Sequence, residues 1–251
     1  MTDITPESAA PEPELEPLEE DWQRALCIVA HPDDLEFGVS AAVARWTAQG
    51  KEIGYVMITS GEAGIDQMSP DECRPIREAE QIASAKVVGV DRVDFLGQTD
   101  GVLEYGVPLR KIICASIRQY RPEIVITGNF HSVFGPDALN QADHIAAGQA
   151  VLDAVRDAGN RWVFHDQVES GLEPWGGVRQ VWEANSPDAR HGVDITDTFE
   201  AGVRALEAHA AYLAGLSYEI DPAEFLEGFA RQTGTRFGTR FAAAAQVYRF
   251  S

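Results

Sequence analysis

Basic residues are scarce in this chain. Twenty lysines and arginines stand against forty aspartates and glutamates, for a formal charge of −20. Such an excess repels polyanions, which argues against nucleic acid or an anionic membrane surface as a partner. Cysteine is rare as well: Cys27, Cys73 and Cys114 are scattered and odd in number, and Cys27 and Cys114 fall in apolar patterns. They build no disulfide framework, and a reducing cytoplasm is the expected location. No apolar run approaches the roughly 20 residues of a membrane span, so no membrane span is expected. The N-terminus lacks the basic-then-apolar plan of a secretory leader. There is neither a G-x-G-x-x-G turn after the first strand nor a Walker lysine motif, which weighs against a nucleotide-binding module.

With 251 residues, 45% of them hydrophobic, the chain can bury a substantial core, and one α/β domain fits better than two small ones. Residues 1–21 stand apart. They hold eight acids, four prolines and no lysine or arginine, a composition that predicts a disordered acidic tail. A single domain is expected over 22–251.

Within that domain, apolar runs alternate with segments of helical period. Strands are predicted at Ala25–Val29, Ile53–Thr59, Val90–Leu96 and Glu123–Gly128. Helices are predicted at Val39–Gln49, Pro75–Val88, Val107–Gln119 and Gln141–Ala158. Four rounds of strand, loop and helix imply a Rossmann-like, doubly wound, mostly parallel sheet with helices on both faces. The last third is less regular. Trp162–Phe164 and Gly177–Ala184 read as further strands, Thr198–Leu213 and Phe225–Arg231 as helices, and Phe241–Phe250 as either.

The chemistry concentrates where the first strand ends, at His31-Pro32-Asp33-Asp34. His31 and Asp34, three apart across a turn, can converge on one point, and Asp33 then projects elsewhere. An imidazole, a carboxylate and a spare carboxylate are what a metal-activated water needs. In a doubly wound sheet, loops after different strands open on the same carboxyl edge. Asn140-Gln141-Ala142-Asp143-His144, opening the helix after the fourth strand, can therefore bring His144 to the same point. Two histidines and one carboxylate with an open position form a catalytic zinc set, and the same donors also form a ferrous facial triad. Asp143 can serve beside them, bonding a ring nitrogen or a bound water. Helix capping by Asp33, Asp34 or Asp143 is the competing structural explanation. His131 lies in the loop before His144, and His209 lies within the last clear helix.

Ala30-His31-Pro32-Asp33-Asp34-Leu35-Glu36-Phe37-Gly38 resembles the signature of the LmbE-like, or PIG-L, family of metal-dependent N-deacetylases. Thr59-Ser-Gly-Glu62-Ala-Gly64, Arg77-Glu-Ala-Glu80, Phe95-Leu-Gly97 with Asp100-Gly101, and Asp143-His144 match in the same order. The resemblance implies hydrolysis of an N-acetylglucosamine-type substrate, a small N-acyl amino sugar. It implies His31, Asp34 and His144 as ligands of Zn²⁺, with Fe²⁺ as the alternative metal, and Asp33 as general base. It also implies Arg77, Asp100 and Glu62 at the substrate, and is compatible with a homo-oligomer. A related amidase cleaving a different N-acyl group would use the same residues. Two positions depart from the family pattern. Gln141 stands where a histidine often polarises the oxyanion, and glutamine can donate a hydrogen bond but carry no proton charge. Gly202 stands where a lysine is common.

Overall fold

The computed structural model describes residues 14–135 and 137–250. Its chain enters through a two-residue strand, β1 (Glu16–Pro17), and continues into β2 (Arg24–Val29), α1 (Ser40–Ala48), β3 (Glu52–Thr59) and α2 (Pro70–Val87). Next come β4 (Arg92–Gln98), α3 (Val107–Tyr120), β5 (Ile124–Thr127), a small hairpin of β6 (Val133–Gly135) and β7 (Ala138–Leu139), and α4 (Ala142–Gly159). The final third contains α5 (His165–Glu169), β8 (Gln180–Ala184), β9 (His191–Asp194), α6 (Phe199–Glu207), α7 (Ala210–Gly215), α8 (Pro222–Phe237) and β10 (Ala242–Arg249).

Eight strands form one sheet in the order β1-β9-β10-β8-β5-β2-β3-β4. Strands β8, β5, β2, β3 and β4 run parallel, with β4 at the edge, and β10 lies antiparallel between β8 and β9. Strand β2 sits in the middle, buried on both faces, as its unbroken apolar run requires. Alternate residues feed two cores. Ala25, Cys27 and Val29 join Trp22, Trp46 and Trp182 on one face, and Leu26 and Ile28 join Ile113, Ile117 and Val151 of α3 and α4 on the other. Cys27, Cys73 and Cys114 are all buried and free. Among the described residues no helix is long and apolar enough to cross a membrane.

Five local expectations change. Of the expected tail, residues 1–13 lie outside the described residues, while residues 14–21 pack against the folded body. Leu15 and Leu18 are buried, and Glu16–Pro17 pairs with β9. The acids there find cations on the folded body: Glu20 meets Arg45 at 3.0 Å and Asp21 meets Arg179 at 2.9 Å. Helix α2 starts five residues before Pro75, because Ser69 and Glu72 form a capping box ahead of Pro70 at the first helical position. Trp162–Phe164 is a turn, with Phe164 in the left-handed region at φ 51°. The buried Arg118 guanidinium binds the carbonyls of Asn160, Val163 and Phe164 at 2.8, 2.8 and 3.1 Å, which removes those acceptors from any sheet. The helix expected over Thr198–Leu213 breaks at His209, between α6 and α7. Last, the helix expected over Phe225–Arg231 runs further in both directions, as α8.

Candidate metal centre and active site

Strand β2 delivers His31 to the carboxyl edge of the sheet, flanked there by the loops that follow β3, β4 and β5. Pro32 and Asp33 then turn the chain sharply. Asp33 sits at φ 85°, a left-handed conformation that costs a non-glycine residue about 1–3 kcal/mol. That turn sends the adjacent carboxylates in different directions. Asp34 Oδ1 lies 3.0 Å from His144 Nε2, while its Oδ2 accepts the His31 backbone N–H at 2.9 Å. Asp33 Oδ2 instead meets Arg77 Nη2 at 2.6 Å.

His31 Nδ1, Asp34 Oδ1 and His144 Nε2 form a triangle with sides of 3.7, 3.0 and 3.2 Å. Three ligand atoms about 2.1 Å from a tetrahedral ion lie about 3.4 Å apart, so the triangle fits such an ion with little movement. Each ring is fixed from its other side, as metal-binding imidazoles usually are. His31 Nε2 faces Asp100 Oδ1 at 3.0 Å and Asp143 Oδ2 at 3.3 Å, and His144 Nδ1 faces Asn140 Oδ1 at 2.8 Å. The outer nitrogens therefore donate, leaving lone pairs on His31 Nδ1 and His144 Nε2 turned inward. His31, Asp100 and Asp143 also cluster closely enough to hold an ion. Asp143, however, accepts from the Gly101 and Leu103 N–H groups at 2.8 and 3.0 Å, and Asp100 Oδ2 accepts from Ala63 N–H at 2.8 Å. Those carboxylates support His31 from behind.

The electrostatics call for a cation. Burial pushes the Asp34 carboxyl up, but the His144 and His31 imidazoles outweigh it and hold Asp34 well below the usual carboxylate range. Burial opposes charge on His31 too, yet Asp100, Asp143 and Asp34 together raise its imidazole well above the ordinary value. Three carboxylates around two imidazoles leave a net negative site, which a divalent ion would neutralise while displacing the ring proton.

Asp33 occupies a different environment. It is 6% exposed, and burial, only partly offset by Arg77, raises its carboxyl above the ordinary range. One face of α2 clamps the turn that carries it. Arg77 donates to Asp33 and to the Pro32 carbonyl at 2.7 Å. Four residues on, Gln81 Oε1 accepts the Asp33 N–H at 2.9 Å, and Gln81 Nε2 donates to Glu36 at 3.0 Å. Ser84 donates to the same Glu36 oxygen at 2.6 Å. The other Glu36 oxygen faces His209 Nε2 at 3.6 Å in a fully buried pair, at the point where α6 gives way to α7. One turn later, Tyr212 lies against the Arg77 guanidinium, 3.9 Å from ring centroid to Cζ.

The structure thus brings His31, Asp34 and His144 together, with Asp143 and Asp100 behind His31 and Asp33 set apart. Gln141 stands exposed at the N-cap of α4. Arg77 and Glu62, expected at the substrate, are 1% and 3% exposed, and their polar atoms turn toward the protein. Glu62 holds Arg74 at 2.8 Å and the Ser60 N–H at 3.1 Å. Gly202 has no room for a lysine, since a Cβ there would lie 2.8 Å from Ala41 Cβ where α6 crosses α1. His131 lies away from the metal ligands, 3.4 Å from the buried Glu183 and 3.3 Å from Gln246. Sequence reasoning passed over Gln81, Ser84 and Tyr212, and it named His209 and Asn140 without giving either a role at the site. The available signals were polar residues at positions 77, 81 and 84 along one helix face and an asparagine four before His144.

Comparison with known proteins places the chain among deacetylase relatives. The chain is 29% identical to a diacetylchitobiose deacetylase of Thermococcus kodakarensis, with 88% of this chain and 82% of the relative covered. It is 26% identical to a 1D-myo-inositol 2-acetamido-2-deoxy-alpha-D-glucopyranoside deacetylase of Mycolicibacterium gilvum, covering 75% and 76%. Among solved structures, an N,N'-diacetylchitobiose deacetylase from Pyrococcus horikoshii superposes with a TM-score of 0.81 at 24% identity, over 92% of this chain and 85% of that one. A 4-carboxy-2-hydroxymuconate hydratase from Pseudomonas putida superposes with a TM-score of 0.70 at 19% identity, over 90% and 95%. The fold therefore hosts more than one reaction and does not by itself name one. The model of the PIG-L family, described as GlcNAc-PI de-N-acetylase, matches residues 26–155, more than half of the sequence, and the chain belongs to that family.

Proposed function

We propose that the protein is a zinc-dependent hydrolase that removes the N-acetyl group from an N-acetylglucosamine-type substrate. The observation that carries this reading is the divergence of two adjacent aspartates. Asp34 joins His31 and His144 in a three-donor triangle, and Asp33 is held apart from it by Arg77. The names of the relatives support an amino-sugar substrate.

His31 Nδ1, Asp34 Oδ1 and His144 Nε2 would hold the ion. When bound, zinc polarises a carbonyl and lowers the pKa of water from 15.7 to about 7. The residues of the chain do the rest. Asp33, too far around the turn to ligate, takes the proton of the attacking water, and its raised pKa suits a base that must later act as an acid. Arg77 and Gln81 keep its carboxylate aimed. Asp143 and Asp100 hold the His31 tautomer. Gln141 donates a hydrogen bond to the amide oxygen as negative charge develops there. Asp33 returns the proton to the leaving amine, giving acetate and a free amino sugar. The acidic surface suits a neutral substrate and a cationic product.

The test is metal content together with amine release from a panel of N-acetylglucosaminyl glycosides, diacetylchitobiose included. Asp33→Asn should keep its zinc and lose about 10²–10⁴-fold in kcat. Full activity in that variant overturns the base assignment, and turnover on longer acyl amides alone would overturn the acetyl assignment.

A further inference from the structure

Asn140 immediately precedes the N-cap of α4 and is 4% exposed. An asparagine side chain offers two donor hydrogens and two acceptor lone pairs, and here all four are engaged. Its Nδ2 donates to the Asn129 carbonyl at 2.8 Å and the His131 carbonyl at 2.9 Å. Its Oδ1 accepts from the Gln141 N–H at 2.8 Å and from His144 Nδ1 at 2.8 Å. The carbonyls of residues 129 and 131 can only accept, so the amide orientation is determined, and the bond to His144 must come from Nδ1–H. One group thus closes the base of the 129–140 loop and sets the tautomer of a residue in the donor triangle. The same loop places Phe134 edge-on to the His144 ring, with centroids 5.8 Å apart.

We infer that Asn140 is a positioning residue whose one carboxamide both anchors the loop that leads into α4 and sets the metal-binding tautomer of His144. This rests on the metal reading above. The Nδ2 donors hold the loop and the Oδ1 acceptor holds the ring, so loss of the whole amide releases both, while loss of the donors alone releases only the loop. The carboxamide is required because no other side chain of this size offers donors to two carbonyls and an acceptor to an imidazole. Aspartate would keep the acceptor and set a second oxygen against the two carbonyls.

The experiment compares the full-length protein with Asn140→Leu and Asn140→Asp in three measurements. These are zinc affinity by chelator competition, backbone hydrogen exchange over residues 129–135, and the ¹⁵N shifts of the His144 ring in the metal-free state. Asn140→Leu should bind zinc about 10- to 100-fold more weakly, exchange faster in the loop and lose the single Nδ1–H tautomer. Asn140→Asp should keep the tautomer and zinc affinity within about threefold of the parent while exchanging faster in the loop. That variant also carries the test if the leucine protein does not fold. Native zinc affinity and tautomer in Asn140→Leu overturn the inference, as does loop exchange in Asn140→Asp equal to the parent. Failure of the deacetylase reading is distinguishable. A parent that binds zinc but releases no amine overturns that reading, while the ¹⁵N and exchange data still decide the role of Asn140.

Discussion

The first strand–helix rounds, through α4, and the irregular final third divide the site between them. Every donor in the candidate metal triangle comes from the first part: His31 and Asp34 from the turn after β2, and His144 from the first turn of α4. The final third supplies no donor. It reaches the site from behind, through His209 against Glu36 and Tyr212 against Arg77. The regular half thus provides the three donors that could hold an ion, and the irregular part buttresses the turn that carries Asp33. Damage to the two parts should separate cleanly, in metal content for the first and in base function or stability for the second.

The largest effect is expected from His144→Ala. Removing one of three ligands should abolish stoichiometric zinc in metal analysis and lower turnover by more than about 10³-fold, with the far-ultraviolet spectrum unchanged. Retained zinc would break the division at its strongest point. Next comes Arg77→Met, which leaves a buried carboxylate without its cation and should cost about 3–5 kcal/mol in urea unfolding. Because Arg77 lowers the Asp33 pKa, its loss should move the acid limb of kcat/KM to higher pH while zinc content stays full.

His209→Leu probes the far side of the same clamp and should cost about 1–3 kcal/mol through the unpaired Glu36 oxygen. Burial raises the Glu36 carboxyl, but His209, Ser84 and Gln81 bring it below its ordinary value of 4.5. A depressed carboxylate stabilises the fold above its unfolded value, and that contribution is lost as pH falls through the folded value. The urea midpoint of the parent should therefore drop more steeply below about pH 4.5 than that of the variant. The smallest effect is expected from Tyr212→Leu, which removes a cation–π contact worth about 1–2 kcal/mol and should lower kcat only severalfold, with zinc unaffected. A loss of metal in either variant would show that the final third supports the ligands as well as the base.

Much of this was legible in the sequence for local reasons. The parallel strands β2, β3 and β5 read as short apolar runs because they are buried on both faces, and His31-Pro32-Asp33-Asp34 announced a polar strand end. The antiparallel β10 stayed ambiguous, since five of its first seven residues are alanine or valine and suit either state. The N-terminal segment was misread because composition averages over residues that bury Leu15 and Leu18 individually. Nothing local reveals that the charged side chains of Arg77 and Glu62 will be buried and paired with Asp33 and Arg74.

The sequence by itself determined the doubly wound sheet and the three candidate ligands. Backbone periodicity and the chemistry of neighbouring side chains suffice for those. Only the tertiary structure decided which carboxylate points where, what holds it, and which nitrogen of each histidine is free. Those answers depend on partners such as Arg77, Gln81 and Asp143, dozens of residues away in the chain, and a buried polar group takes its role from the partner it finds.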